Sequence, residues 1–270
     1  PLYHWSALEL KRYFDIDTPL SPETADAVWT AANARLPELS VQTILQQQNV
    51  AVACTTDDPA DSLDTHVAIN ASDLRTRVYP TFRPDKAYAL GDPAAYRAYC
   101  EKLAAAAGQE IHTFDDLLSA LEKRHADFHA AGGRISDHGL ESALDQPCSL
   151  AEARAIFQKV IDGQSVSAAD QHGFGALLML EFGRWDAKRG WTKQLHLGAR
   201  RNNNRRKFEE LGPDVGFDSI GDARQGPALA NYLSALDATD ELPKMVVYNL
   251  NPSDNYMIAT MVGNFQDGSI

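Results

Sequence analysis

The sequence predicts an α/β fold on a parallel sheet, with a β/α barrel as its architecture, and two observations lead to that prediction. Strand-like and helix-like segments alternate along the 270 residues, as expected of β/α units around a parallel sheet. Five strand-like segments also end in polar side chains. In a β/α barrel the carboxyl ends of all strands open on one face, where the catalytic groups lie, so repeated polar tails fit that architecture.

The first 48 residues are predicted to be a helical N-terminal part. Ser6 is expected to cap a helix over 6–14, and Pro22 and Glu23 to begin another over 22–36. Further helices are predicted at 93–107, 114–130, 202–211 and 225–238, with two more within 149–188. No repeat, low-complexity tract or Gly/Ser linker divides the chain, which predicts one domain over residues 1–270.

The five predicted strands lie within 49–59, 77–85, 134–140, 192–199 and 244–250. Their polar tails are Thr55 to Asp58, Arg83 to Asp85, Asp137-His138, His196, and Asn249 to Asn251. A doubly wound open sheet would also place ligands at strand ends. However, no G-x-G-x-x-G or G-x-x-x-x-G-K-[ST] follows any strand, so we expect no nucleotide cofactor.

Composition excludes several classes of partner. The net charge of −12 disfavours attraction to nucleic acid or to acidic membrane surfaces. The sequence contains no run of 18 or more apolar residues, so it predicts no membrane span. Cys54, Cys100 and Cys148 are widely spaced, and the chain has no C-x-x-C. This spacing predicts neither a disulfide framework nor a thiolate zinc site, and it favours a cytoplasmic location.

His196 and Arg83 are the strongest candidates for chemistry. His196 lies at a strand tail before Gly198, and this position leaves two interpretations: an acid/base or ligand role, or a hydrogen-bonded core histidine. Arg83 precedes Pro84, which biases it to extended backbone and suits a bidentate contact with a substrate carboxylate. The alternative for Arg83 is an ion pair with Asp85, Asp57 or Asp58.

Other polar residues have two interpretations as well. His138 is either a metal or substrate contact or part of a turn closed by Gly139. Asp57 and Asp58 could contact substrate, or one of them could cap the next helix. Four histidines are expected to be surface or helix residues: His112, His125, His129 and His172. Without H-x-H or H-E-x-x-H, the chain lacks a complete metal-ligand set.

Nine segments resemble, in order, the uronate isomerase (glucuronate isomerase) family of the amidohydrolase superfamily. They are 1-PLYHW-5 with 8-LELKRYF-14, 55-TTDDP-59, 81-TFRPDKA-87, 136-SDHGL-140, 190-GWTKQLHLGARRNNN-204, 211-LGPDVGFDSIGD-222, 242-LPKMVVYNLNP-252 and 259-ATMVGNFQ-266. The resemblance implies a (β/α)8 TIM barrel of the metal-dependent hydrolase type. Family members extend further at both ends, so the chain would be a central piece that carries strands two to six.

The resemblance also implies a reaction and residue roles. The reaction is aldose–ketose isomerisation of D-glucuronate to D-fructuronate, and of D-galacturonate to D-tagaturonate, through an enediol. His196 would be the catalytic residue or a ligand of a divalent metal such as zinc, and Arg83 would hold the substrate carboxylate. The other implied substrate contacts are Asp57, His138, Arg200 and Asn249.

The sequence is also compatible with other functions of the parent protein and of the chain. The parent protein could instead be a metal-dependent hydrolase on the same scaffold. The chain alone is expected to be inactive, or could have only a binding role. A barrel that lacks three strands would leave unpaired sheet edges, which predicts low stability or a homo-oligomer.

Overall fold

A computed structural model describes residues 2–265 of the chain. Its helices are α1 (Leu2–Phe14), α2 (Ala25–Arg35), α3 (Val41–Gln47), α4 (Asp64–Asn70), α5 (Pro93–Ala107), α6 (Phe114–Ala130), α7 (Leu150–Ile161), α8 (Ala168–Arg189), α9 (Arg205–Leu211), α10 (Gln225–Asp237) and α11 (Asn255–Val262). Its strands are β1 (Val52–Cys54), β2 (Arg77–Tyr79), β3 (Ile135–Leu140), β4 (Thr192–Leu197), β5 (Ala199–Arg200), β6 (Ser219–Ile220) and β7 (Lys244–Asn249). The predicted α/β class is confirmed.

The chain divides into two compact units. One comprises residues 1–53 and 67–78, and the other comprises residues 54–66 and 79–270. The first unit contains α1 to α3, and Val28 is the buried residue of α2. The second unit contains the parallel sheet, most of the helices and the polar strand tails.

Strands β3, β4 and β7 form a parallel sheet in that order. Their register aligns Gly139 with His196, and His196 with Tyr248. Isolated parallel bridges continue the pattern from Ser136 to Phe82 and from Phe82 to Asp57. The carboxyl ends of successive parallel segments therefore gather their polar side chains along one edge of the sheet.

Helices α5 and α6 have capping residues at their ends. Asp92 accepts hydrogen bonds from the first-turn amides of α5, and Gly108 ends that helix in the left-handed region at φ 65°. Thr113 and Asp116 form a capping box at α6. The predicted bounds of α5 and α6 are confirmed, as is the division of 149–188 into two helices, α7 and α8.

Three helix starts were wrong. The first helix begins at Leu2, so Ser6 lies inside it rather than capping it. The second begins at Ala25, because Pro22 and Glu23 belong to the turn before it. The helix expected from 202 begins at Arg205, since Asn202 has a φ of 55° and the Asn204 side chain caps the first turn by accepting from Lys207.

The core of the second unit is aromatic and contains one unexpected histidine. Phe82 makes edge contacts with Phe128 and Phe182. His125, expected as a surface or helix residue, lies in α6 but is fully buried, and its ring stacks on Trp191 at 3.9 Å.

None of the helices within residues 2–265 has both the length and the apolar character that a membrane span requires.

Candidate functional site

A cleft of about 440 Å³ opens at the carboxyl ends of β3, β4 and β7. Its lining includes residues from all three strands and from the segments that follow them: Arg83, Gly139, Leu140, Glu141, His196, Leu197, Ala199, Arg201, Tyr248, Asn249 and Leu250. The strand register explains this grouping, because residues paired across parallel strands lie side by side.

His196 faces this cleft and is not a core histidine. Its side chain is 46% exposed, and its Nε2 lies 2.6 Å from Asp137 Oδ1. Its ring stacks on Tyr248, with centroids 4.6 Å apart and planes 8° apart. The aromatic face packs against the imidazole and the buried carboxylate lies beside it, although Asp137 Oδ1 has no hydrogen-bond partner among the described residues. Leu195 and Leu197, which flank it, are buried on the opposite face of β4.

Arg83 forms the ion pair with Asp85 that its alternative interpretation expects. Its Nε donates to Asp85 Oδ2 at 3.0 Å and its Nη1 donates to Asp137 Oδ2 at 3.2 Å. The expected partners Asp57 and Asp58 are not involved. Arg83 nonetheless lines the cleft, and its Nη2 makes no hydrogen bond within the described residues. The guanidinium is held in place with one nitrogen left for a ligand.

Asp85 is the anchor of Arg83. Its Oδ2 also accepts from the Gly139 amide at 3.0 Å, and its Oδ1 accepts from the Tyr88 hydroxyl at 2.6 Å. Burial opposes ionisation, but His138, Tyr88 and the Gly139 amide together hold the pKa of Asp85 below its ordinary value. The carboxylate is therefore charged at neutral pH.

His138 occupies a different position from the one expected. It lies inside β3 rather than in a turn, and Gly139 has no left-handed backbone. Side chains alternate along a strand, so His138 shares a face with Ser136 and Leu140 while Asp137 shares the cleft face with Gly139. The His138 ring is fully buried against Phe182 of α8, with centroids 6.0 Å apart, and it does not line the cleft.

A buried polar cluster extends from His138 into the interior. Lys193 of β4, completely buried, contacts His138 Nε2 at 2.7 Å, Asp186 Oδ2 at 2.9 Å and Ser136 Oγ at 3.2 Å. Asp186 Oδ2 also accepts from Ser136 at 2.6 Å, and its Oδ1 lies 2.9 Å from His125 Nε2. The cluster reaches from α6 and α8 to the sheet under the cleft.

Burial sets the ionisation of this cluster. Burial is the main cause that lowers the pKa values of His138, His125 and Lys193, because the charged forms lose their hydration. Burial acts the other way on Asp186, but Lys193 and His125 outweigh it and hold the pKa of that carboxyl below its ordinary value. We infer neutral imidazoles beside an ion pair of Lys193 and Asp186.

The other expected contacts are dispersed. Asp57 accepts from the Thr55 hydroxyl at 2.6 Å and from the Thr81 amide at 3.2 Å, away from the cleft lining. Asp58 caps no helix, since α4 begins only at Asp64; its carboxylate accepts from the Ala60 amide instead.

Asn249 lines the cleft and Arg200 does not. The Asn249 amide nitrogen donates to Asn255 Oδ1 at 2.9 Å, while its buried Oδ1 has no partner among the described residues. Arg200 lies in β5, with Nη1 3.5 Å from Glu141 Oε1. The neighbouring Arg201 lines the cleft and is tied to Asp218 at 2.8 Å. Arg205 and Arg206 lie on α9, as expected.

The described residues do not fit a metal ion by themselves. Among residues 2–265, no group of three or more His, Cys, Asp or Glu side chains is arranged to hold one. His196 and Asp137 offer two donors, and the guanidinium of Arg83 also faces Asp137. If His196 is a metal ligand, as expected, the described residues offer one further donor, the Asp137 carboxylate, and no third.

Comparisons with known proteins agree along the whole chain. The sequence model of a family described as glucuronate isomerase matches residues 1–270. The chain is similar to a uronate isomerase from Opitutus terrae, with 61% identity over 100% of this chain and 57% of that protein. A uronate isomerase from Solibacter usitatus is 53% identical over 99% of this chain and 58% of its own length.

Solved structures give the same result. A uronate isomerase from Thermotoga maritima superposes with a TM-score of 0.90 and 33% identity, over 97% of this chain and 57% of that one. A glucuronate isomerase from Caulobacter crescentus gives 0.84 and 25% identity, over 94% and 53%. The chain spans a little over half the length of these relatives.

Proposed function

The chain belongs to the glucuronate isomerase family, and from that premise we propose that it supplies the central part of a site that interconverts aldose and ketose uronates. The resemblance of the sequence motifs to this family is therefore confirmed. The observation that carries the proposal for this chain is that Arg83 and His196 line one cleft and both contact the buried carboxylate of Asp137.

The reaction needs two proton movements. A proton leaves C2 of the open-chain aldose and returns at C1, through an enediol, while a proton moves from the C2 hydroxyl oxygen to the C1 oxygen. An imidazole oriented by a carboxylate can move such protons, so we assign His196 this role with Asp137 as its orienting partner. The Arg83 guanidinium, with Nη2 free among the described residues, would bind the substrate carboxylate.

Two further groups at the cleft suit a sugar acid. Asn249 lines the cleft and its Oδ1 has no partner among the described residues, but that oxygen is buried, so accepting from a sugar hydroxyl would require the side chain to turn toward the cleft. Arg201 adds positive charge at the cleft lining. Asp57, His138 and Arg200 do not line the cleft, so a substrate role for them would be indirect. A divalent metal, with zinc as the expected ion, would need donors beyond His196 and Asp137.

We also propose the finer architecture that the resemblance implies. Successive parallel segments at Asp57, Phe82, β3, β4 and β7 are what consecutive strands of a partial (β/α)8 barrel domain over residues 1–270 would contain. The superposition on the Thermotoga maritima uronate isomerase supports this proposal. A cytoplasmic location fits the three free cysteines.

A chimera tests the function without any assumption about the ends of the chain. The 270 residues would replace the matching segment of the Opitutus terrae uronate isomerase, to which they are 61% identical. Conversion of D-glucuronate to its ketose would be followed by proton NMR, with the chain alone assayed in parallel. We expect an active chimera, and we expect Arg83→Lys to raise KM about tenfold or more, because Lys loses the planar fork.

Two results would contradict the proposal. One is a folded chimera that forms no ketose while the parental enzyme does. The other is a chimera that cleaves a lactone or amide but does not isomerise a uronate, which would favour the hydrolase alternative. Activity of the chain alone would overturn the expectation that it is inactive by itself.

A further inference from the structure

The fully buried Lys193 lies outside the cleft, yet a series of polar side chains in contact with one another connects it to the cleft. Its Nζ contacts His138 at 2.7 Å, and His138 Nδ1 in turn lies 3.8 Å from Asp85 Oδ1. Asp85 holds the Nε of Arg83 at 3.0 Å. Three side chains thus lead from the interior to the Arg83 guanidinium that lines the cleft.

The hydrogen bonds around Lys193 leave one consistent assignment of protons. An ammonium group has three protons and can accept none. Its three neighbours are Asp186 Oδ2, Ser136 Oγ and His138 Nε2. The Ser136 hydroxyl donates its own proton to Asp186, so its oxygen is free to accept from Lys193. Three donors therefore meet three acceptors, and His138 Nε2 is one of the acceptors.

A neutral histidine that accepts at Nε2 carries its proton on Nδ1. The Nδ1 atom of His138 is buried and makes no hydrogen bond within residues 2–265. It faces Asp85 Oδ1, which already accepts from Tyr88. In this tautomer the N–H dipole points at the carboxylate and stabilises its negative charge; in the other tautomer a lone pair would face that charge.

We propose that Lys193 is a positioning residue: its ammonium group fixes His138 as the Nδ1–H tautomer, and that tautomer supports Asp85 as the anchor of Arg83. The assignment of Arg83 to the substrate carboxylate rests on the function proposed above, whereas the tautomer does not. Lys193 does not line the cleft and acts through His138.

The first test measures the tautomer directly. Two-bond proton–nitrogen NMR spectra of the chain with nitrogen-15 histidine distinguish the Nδ1–H, Nε2–H and doubly protonated forms, and His138→Gln identifies the signal. We expect pure Nδ1–H in the unmodified chain at pH 7.5. An Nε2–H or doubly protonated His138 would overturn the proposal, because neither can accept from Lys193.

Variants then test whether Lys193 is the cause. Lys193→Met alone would leave Asp186 buried without its ammonium partner and could unfold the chain. The double variant Lys193→Met/Asp186→Asn removes both charges together, and we expect its His138 to become a mixture of tautomers. A folded double variant that keeps pure Nδ1–H would refute the proposal. Lys188→Met, which removes an exposed lysine of α8, is the matched control and should leave the signal unchanged.

A kinetic measurement separates positioning from general stability. In the chimera, the double variant should raise KM for D-glucuronate severalfold with a smaller change in kcat, because Arg83 binds the carboxylate. A severalfold loss of kcat with an unchanged KM would refute the link to Arg83. If the unsubstituted chimera has no isomerase activity, the proposed function fails while the tautomer result still stands or falls on its own spectra. Should the double variant not fold, the spectrum of the unmodified chain decides.

Discussion

Gly139 lies so close to Arg83 that a methyl group could not be added without moving one of them. An ideal Cβ at residue 139 would be 2.4 Å from Arg83 Nη2 and 3.4 Å from Asp85 Oδ2. The backbone at residue 139 is ordinary strand, so its need for glycine comes from this close approach rather than from φ. The site therefore uses a missing side chain to admit a guanidinium.

We predict that Gly139→Ala displaces Arg83 and weakens uronate binding. The clash falls on the far end of a long side chain, so Arg83 can swing away at a cost in stability below about 1.5 kcal/mol. In the chimera KM for D-glucuronate should rise about tenfold. Gly91→Ala is the control, since its Cβ would meet only Gln171 Oε1 at 3.8 Å. Equal KM values for the two variants would contradict the prediction.

The buried histidines predict how stability depends on pH. Burial lowers the pKa values of His125 and His138 in the folded state, so the unfolded chain binds more protons below its ordinary histidine pKa of 6.5. The free energy of unfolding should therefore fall as the pH drops from 7.5 to 5.5. Each histidine can contribute at most about 1.4 kcal/mol at one pH unit below that value.

Urea unfolding at the two pH values measures this effect. Asp85 and Asp186 have lowered pKa values and lose their contribution only as the pH falls through the acidic range below this window. His138→Gln should reduce the difference in unfolding free energy between pH 7.5 and pH 5.5. Equal stability at both pH values in the unmodified chain would show that these histidines protonate freely when folded.

At the scale of single elements, α8 carries much of the site's support. It provides Asp186 to the cluster under the cleft and Phe182 against His138. Its first turn is closed by a capping box, in which Ser167 Oγ accepts from the Asp170 amide at 3.0 Å and Asp170 accepts from the Ser167 amide at 3.2 Å. Both interactions satisfy amides that have no partner within the helix.

We predict that Ser167→Ala lowers the free energy of unfolding by about 1 kcal/mol, because it removes the capping oxygen. Ser165→Ala is the matched control: Ser165 is exposed in the loop just before the helix, so its loss should change stability by less than about 0.5 kcal/mol. Chemical unfolding of both variants checks the difference. Identical stabilities would show that the cap is replaced by water at no cost.

The strands show what sequence could and could not predict. Polar residues at the ends of β3, β4 and β7 predicted where the cleft lies, and His196, Arg83 and Asn249 do line it. The prediction of Asp137-His138 as one polar tail is wrong for His138, because alternation along a strand sends only one of two neighbours to each face. Lys193 was overlooked, yet it shares the face of Leu195 and Leu197 in β4, and a lysine in phase with buried leucines signals a buried charge.

Pairs of distant residues were beyond sequence reasoning. The contacts of Lys193 with His138 and Ser136 join residues more than fifty positions apart, and no local pattern encodes which side chains a parallel register brings together. The antiparallel pair of β5 and β6 was also missed, because strands of two residues are too short to show periodicity.

At the scale of the whole molecule, β7 presents an open edge. Within residues 2–265 it pairs with β4 and with no other strand. Its backbone donors and acceptors on the other side are available to another chain, and Val246 and Tyr248 are 38% and 45% exposed. An exposed apolar edge strand is a template for association, so we expect copies of this chain to pair through β7.

Sedimentation of the chain at increasing concentration tests that expectation. The unmodified chain should associate, and Val246→Lys should shift it toward monomer, because a lysine on an edge strand opposes pairing by charge and hydration. Val67→Lys is the control, since Val67 is 64% exposed on α4 and lies on no strand. If the unmodified chain is monomeric throughout, or if both lysine variants associate alike, the β7 edge is not the surface through which copies meet.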